Sequence, residues 1–427
     1  MYNVIVVSYY FPPMGLSGVQ RTLKFVKYMP EYNWKPTVVT TGKTGYFAHD
    51  NTLLRELTDK DIEIVRVEGF DPNSMLKKFG TIKYPREFVR KIFNRLSQTF
   101  FIPDNKISWA KIALKKVEEL VATKKYDAIF ITAPPFSAFS EITKIKKKFD
   151  IPIILDYRDL WYGSYFSVYP TPYHKYKHKK MEYLSLKAAD KILVTNRKIK
   201  EKILQRYPFL SFDDVVIIRH GFDQEDFDRN EATPKDRKDK LMMTHSGSFI
   251  EYSTPEYFLK AFKQLSIERP DIASNYELHF VGIIGRHNEK LIKKLRLEPY
   301  VKLHGYINHD ETIKKIKASD VLWLHVGRKR NIDAILPGKL FEYVGARKPI
   351  LGCVPEGAAK FSLEEYKASF ITEPNNIEQI KNELINIHSL YRKEMLPKSE
   401  DDFILQHDRK YLTEQVTKIL QFYLRTE

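Results

Sequence analysis

The chain of 427 residues holds a single cysteine, Cys353. No intramolecular disulfide can form, which excludes a disulfide scaffold and points to a reducing compartment. No run approaches roughly 18 apolar residues, so no transmembrane helix is expected. The opening Met-Tyr-Asn leads directly into an apolar strand, without the basic flank and cleavage site of a signal peptide. A cytosolic protein is expected. Chemical signatures are missing too. Gly42-Lys43-Thr44 looks like the end of a P-loop, but Thr37 stands where its first glycine belongs. No G-x-G-x-x-G follows a strand, and G-x-S-x-G and H-E-x-x-H are absent. The His and Cys spacing suggests no zinc site. Asp226-Phe-Asp228 has the form of a metal-binding D-x-D, but it lies in a highly charged stretch where a solvated acidic turn is the plainer reading.

What is present is a globular composition, 43% hydrophobic and 29% charged, on a chain long enough for two domains. The charge is unevenly spread. Residues 1–220 hold 38 Lys and Arg against 22 Asp and Glu, whereas residues 221–427 hold 33 against 32. A basic half beside a neutral half suggests that only the first meets a polyanion or an anionic surface. Solubility conferred by lysine is the plainer alternative.

Val4-Ile5-Val6-Val7 is a continuous apolar run of the kind a parallel strand buried on both faces requires. Strands and helices of 10–15 residues then alternate: strands at Pro36–Thr40, Ala128–Thr132, Ile151–Leu155, Lys191–Thr195 and Val215–Arg219, with helices between them. The same alternation restarts at Met242–His245 and runs to Pro349–Cys353. An α/β protein with two open parallel sheets is expected. The domains are drawn at 1–222 and 241–404, with 223–240 as a charged connector and 405–427 as a helix returning to the first domain. Ligands of such folds bind at the carboxyl ends of strands. The candidate loops are Pro12–Gly18, Asp156–Trp161, Gly221, Ser246–Phe249, Gly282–Arg286, Gly305 and Gly327–Gly338.

Three segments carry phosphate or charge chemistry. Gly15-Leu-Ser17-Gly18 lies between the first strand and its helix, where backbone N–H groups can approach an anion; a plain tight turn is the alternative. In Leu336-Pro-Gly-Lys-Leu-Phe-Glu-Tyr343, Pro337 and Gly338 open a helix and Lys339 puts a point charge at its start. Glu342 follows one turn later on the same face. A surface Lys–Glu pair is the plainer reading there. Asp156-Tyr-Arg-Asp-Leu-Trp161 sets three charges at the mouth of a buried strand, to be satisfied by a ligand or by one another.

In order along the chain, Pro12–Gly18, Ile102-Pro-Asp104 with Trp109, Ala133-Pro-Pro135, Asp156–Trp161, Ala189-Asp190-Lys191, His220-Gly221-Phe222-Asp223, Gly305-Tyr306, Pro337–Tyr343 and Lys348-Pro349-Ile350 resemble segments of one family. It is the GT-B-fold glycosyltransferases, in the family-four-like group of bacterial cell-surface polysaccharide sugar transferases. The resemblance implies two Rossmann-like domains facing across a cleft and a hexosyltransferase-type activity. It implies a nucleotide-diphosphate sugar held mainly by the second domain and a lipid-diphosphate-linked or saccharide acceptor held by the first. Retention of configuration, no D-x-D metal and no further cofactor belong to the same expectation. By position, Lys339 would face the diphosphate and Glu342 the ribose. Gly15, Ser17 and Gly18 would close over the sugar phosphate, while Asp156 and Arg158 would face the acceptor. Two positions depart from the family pattern. Ala334 stands where many members have the first of two glutamates, and adjacent Asp333 is the substitute. Ser248 stands where many have an arginine, and Arg328, Lys329 or Arg330 would supply the charge.

The basic half contains a helix pattern from Arg86, with Phe88, Val89, Ile92, Phe93 and Leu96 on one face and Arg86, Arg90, Lys91 and Arg95 on the other. Such a helix suits an interface between water and lipid. Tyr173-His-Lys-Tyr-Lys-His-Lys-Lys180 interleaves aromatic rings with Lys175, Lys177, Lys179 and Lys180, and Lys144 and Lys146–Lys148 form a third cluster. An anionic membrane surface is therefore an expected partner, at the inner face of the cell membrane. The alternative is an apolar face packed on the sheet with solvated lysines around it. Other function classes are a single-strand nucleic-acid binder, for which no motif is present, a nucleotide-sugar epimerase of the same fold, and a catalytically silent binding module.

Overall fold

The computed structural model describes all residues except 16, 47, 70–73, 75–80, 82–86, 235–238, 250–252 and 425–427, and of residues 17 and 87–91 only the backbone. The chain divides into two compact units, Met1–Arg219 with Arg409–Glu427, and His220–Asp408. Both are α/β.

In the first unit, seven strands form one parallel sheet in the order β3-β2-β1-β4-β5-β6-β7. They are β1 Tyr2–Val7, β2 Trp34–Thr41, β3 Glu63–Val67, β4 Ala128–Ala133, β5 Ile153–Tyr157, β6 Lys191–Val194 and β7 Val215–Ile217. Val4 to Val7 are fully buried on the central strand, as a sheet covered by helices on both faces demands. The chain reverses direction across the sheet between β1 and β4, so the crevice of this unit lies past the ends of those two strands. Edge strand β3 was not expected. Glu63 and Arg66 are exposed, Ile64 and Val65 half-buried and only Val67 buried, so it has no apolar run to betray it. The helix Ser137–Ile142 tightens into a 3₁₀ turn, Thr143–Lys147. The Thr143 hydroxyl bonds back to the Phe139 carbonyl at its start, 2.7 Å away. The last helix, Arg409–Phe422, packs on the first, Ser17–Tyr28. Lys410 pairs with Glu31, and the Tyr423 hydroxyl donates to the Asp190 carbonyl at 2.8 Å.

The second unit repeats the plan with six strands in the order β10-β9-β8-β11-β12-β13. They are β8 Leu241–Ser246, β9 Tyr276–Val281, β10 Val301–Gly305, β11 Val321–His325, β12 Ile350–Cys353 and β13 Ser369–Thr372. Its direction reverses between β8 and β11. The core gathers around Trp323, whose ring stacks on Phe258 at 3.9 Å. Cys353 is buried here, and burial pushes its thiol up to about 11, which leaves it an inert packing group. Residues 223–240 belong to this unit. They open with the helix Gln224–Asp228, capped by Asp223, and bury Asp226 and Phe227. Lys317 ties the segment down through the carbonyls of Phe227 and Asn230, at 2.5 and 2.6 Å. From Asp223 to Asn230, the polar composition that reads as a connector therefore belongs to a packed surface segment.

Candidate functional site

In the second unit the switch point is held open by one side chain. β8 and β11 pair only as far as Leu322 and Thr244. Beyond that, the Tyr343 hydroxyl enters between them, accepting from the Ser246 N–H at 2.7 Å and donating to the Trp323 carbonyl at 3.2 Å. Tyr343 lies on the short helix Lys339–Gly345, so this wedge fixes the helix at the ends of both strands. Lys339 is one turn earlier on the same face. Its Nζ reaches β8 and lies 3.1 Å from Nε2 of buried His245.

The loop after β8 accommodates this reach only because it has no side chain. Gly247 has φ +106°, and a Cβ there would stand 2.8 Å from the Lys339 Nζ. Behind it, Gly282 has φ +121° and a Cβ would stand 2.7 Å from the Gly247 backbone. Two left-handed glycines packed against each other let the ammonium lie against bare main chain. Burial pushes the Lys339 amine down to about 8, partly offset by the nearby Glu342 carboxylate. Burial, with Lys339 next, pushes His245 well below its ordinary value, and burial also brings His325 down to about 3. Glu342 is half-buried, with Oε1 3.8 Å from Nδ1 of His309; Nε2 of His309 lies 3.1 Å from the Asp226 carboxylate. Asp226, of the D-x-D, also pairs with Arg229, and Asp228 accepts from Gln224.

The other expected residues of this unit are placed as follows. Gly338 is the N-cap of the Lys339 helix, with an ordinary φ of −57°. Ser248 is half-buried just past Gly247. Arg328 is exposed and turned to the Glu373 carboxylate. Asp333 sits in the 3₁₀ turn Ile332–Ala334, its backbone against Gly357. The sequence reading missed His245, Trp323 and Tyr343; only the tyrosine, at i+4 from Lys339, left a trace.

In the first unit, Asp156 lies at the end of β5 with 0% exposure. Its Oδ1 accepts from Arg21 Nε and Nη2 at 3.1 and 2.7 Å, and its Oδ2 from Arg21 Nε at 3.0 Å and Thr132 at 2.9 Å. Arg21 also donates to the carbonyls of Ile218 and Arg219. Expected to face the acceptor, Asp156 is here the partner of a buried arginine that ties the first helix to the ends of β5 and β7. Arg158 is 6% exposed and donates to the carbonyls of Gly18, Ala133 and Pro134. It straps the loop after β4 to the first helical turn, and burial lowers its pKa. Trp161 stacks on Phe136 at 5.1 Å and donates to His178 at 3.1 Å. The Gly15 N–H is taken by the Ala48 carbonyl at 2.9 Å, and Gly18 is exposed. The side chain of Ser17 lies outside the described residues. Asp104 caps the turn at Ser137 and Trp109 packs edge-on against Tyr9, so both have structural duties.

On the helix Glu87–Phe100 the described apolar residues are uncovered: Phe93 is 65% and Phe100 75% exposed, with Ile92 and Leu96 near half. The His174 ring lies 3.0 Å from the Thr99 carbonyl, and Gln98 accepts from the Val168 N–H at 2.6 Å. These contacts bring the helix Pro172–Ala188 alongside. There Lys175, Lys179 and Lys180 are exposed, while Lys177 and Lys180 lie over the rings of Tyr173 and Tyr176. Arg95 is exposed; the side chains of Arg90 and Lys91 lie outside the described residues. Three of the four lysines of the third cluster are paired, Lys144 with Glu141, Lys146 with Asp190 and Lys148 with Glu118. Among the described residues no helix is long and apolar enough to cross a membrane.

Comparison with known proteins accords with this geometry. Residues 18–226 match the family model Glycosyltransferase Family 4, and residues 226–400 match Glycosyl transferases group 1. No protein of curated function matches. Among solved structures, a glycosyltransferase from Rickettsia africae superposes with a TM-score of 0.66 at 16% identity, over 100% of this chain and 99% of that one. Sucrose-phosphate synthase from Thermosynechococcus elongatus gives 0.67 at 12% over 99% of each. WaaG, a glycosyltransferase involved in lipopolysaccharide biosynthesis, gives 0.59 at 13% over 98% of this chain and 99% of that one.

Proposed function

The chain belongs to the GT-B glycosyltransferases of the family-four-like group, and from that premise we propose that it moves a sugar from a nucleotide-diphosphate donor to a lipid-diphosphate-linked or saccharide acceptor in surface polysaccharide synthesis, with retention of configuration and without a metal. One observation carries the donor side of this reading. The Lys339 ammonium lies at the mouth of the second sheet's switch point, against bare backbone at Gly247. Breaking a glycosyl–phosphate bond leaves a diphosphate whose growing charge must be stabilised, and a fixed cation in a partly dehydrated site does so without reorganising. Glu342, one turn along, is suited to accept hydrogen bonds from ribose hydroxyls. Asp333 and Ser248 are the candidates for the sugar. Arg328, already paired with Glu373, is the weakest donor-site candidate, because Lys339 itself supplies a cation next to Ser248.

The acceptor side is assigned to the basic first unit. An uncovered apolar helix face beside Lys175, Lys179 and Lys180 suits an anionic bilayer, where a lipid-linked acceptor resides. WaaG acts in lipopolysaccharide biosynthesis, which is compatible with a role at such a surface.

The test is turnover. The protein is incubated with a panel of nucleotide sugars, without added metal, with and without vesicles carrying lipid-diphosphate saccharides. Release of a nucleoside diphosphate that requires both components, with the anomeric configuration kept in the product, is the expected result. Consumption of the nucleotide sugar in the absence of acceptor would instead indicate an isomerase.

A further inference from the structure

Lys339 has three N–H donors on a flexible stem, and a half-buried lysine is useful to a ligand only if something fixes it. The surroundings of His245 provide that fixing. Its Nδ1 lies 2.9 Å from the Trp323 carbonyl, an acceptor only, so Nδ1 carries the proton and Nε2 presents a lone pair. Nε2 is the atom 3.1 Å from the Lys339 Nζ. The ring is clamped as well: it stacks on Phe249 at 4.1 Å and 13°, with Trp323 on a further side at 5.0 Å. A flip of the ring would set carbon against both partners. We propose that His245 is the positioning residue of the donor site, a neutral imidazole whose Nε2 accepts one Lys339 N–H and so aims the other two past Gly247 toward the diphosphate.

This inference rests on the donor-site reading above and deepens it. It also accounts for why His245 stays neutral. Burial and the adjacent ammonium both oppose its protonation, and a protonated ring would lose the lone pair that holds the lysine. The Tyr343 hydroxyl uses the remaining lone pair of the same Trp323 carbonyl, so the tautomer and the helix position are set at one atom.

The two nitrogens can be tested separately. In His245→Gln the side-chain amide falls near the place of Nε2 and can still accept from Lys339. In His245→Asn it falls near Nδ1, reaches the Trp323 carbonyl and leaves Lys339 unheld. Affinity is measured by calorimetry for inorganic pyrophosphate and for UDP, GDP and ADP, on the full chain, with Lys339→Ala alongside. Thermal midpoints of the ligand-free variants check the fold. The expected result is about a 10-fold or larger loss of nucleoside diphosphate affinity in His245→Asn, with recovery to within about 3-fold of the parent in His245→Gln. If His245→Asn binds as tightly as the parent while Lys339→Ala does not, the positioning role is overturned and the donor site stands. If Lys339→Ala also binds normally, both readings fall. A general loss of packing would lower affinity equally in Gln and Asn variants and would likewise overturn the role of Nε2.

Discussion

At the scale of single residues, the chemistry turns on which charges are committed. Lys339 ionises at about 8 because burial removes its hydration. Its ammonium is present below that pH and lost above it, so affinity for a nucleoside diphosphate should fall as pH rises through about 8. A titration of binding against pH checks this, and an affinity constant up to pH 10 would contradict it. The sign for stability is opposite. An unfolded lysine keeps its proton to about 10.4, so between the two values the unfolded chain binds more protons and the ligand-free protein gains stability with pH. Asp156 belongs to a different class. With Arg21 at 1% exposure, Asp156→Asn leaves a buried cation without its counter-charge and should cost about 3–5 kcal/mol by chemical denaturation. Unfolding at the parent denaturant midpoint would return Asp156 to the list of groups free for catalysis. Arg21 could not be read from sequence. It is one of three basic residues on the first helix, with Lys24 and Lys27, and its partner lies 135 residues away.

At the scale of elements, apolar runs were legible and edges were not. Val4–Val7 marked the central strand, whereas Glu63–Val67, interrupted by charge and mostly short of full burial, went unseen. The wedge that makes the candidate site depends on Tyr343, His245 and Trp323 meeting from three elements, and no local pattern encodes that meeting. On the helix Glu87–Phe100 the described apolar residues Ile92, Phe93, Leu96 and Phe100 are exposed, which is the observation behind the membrane proposal. Replacing Phe93 and Leu96 with serine, together with Lys175, Lys177, Lys179 and Lys180, should leave the fold intact and strongly reduce sedimentation with anionic vesicles at low salt. Each lysine near such a surface is worth about 1 kcal/mol. Undiminished association of that variant would remove this face as the contact. The paired lysines at 144, 146 and 148 are not expected to matter.

At the scale of the whole molecule, two parallel sheets of like strand order carry very different charge, and the proposed function gives the basic half the anionic surface and the near-neutral half the nucleotide. Alternating strands and helices made that plan readable. The boundary was less so, because the polar stretch after residue 222 is packed into the second unit by Phe227 and Lys317. The central claim is that the second unit holds a nucleoside diphosphate through Lys339. Thermal unfolding of the parent and Lys339→Ala, each with UDP, GDP, ADP and a short oligonucleotide and without metal, tests it most directly. A ligand at a hundred times its dissociation constant adds about 2.7 kcal/mol, enough to raise the midpoint by several degrees. The account predicts that one nucleoside diphosphate stabilises the parent selectively and that Lys339→Ala loses the shift while keeping the ligand-free midpoint. Equal shifts in both proteins, or a shift with the oligonucleotide alone, would contradict it.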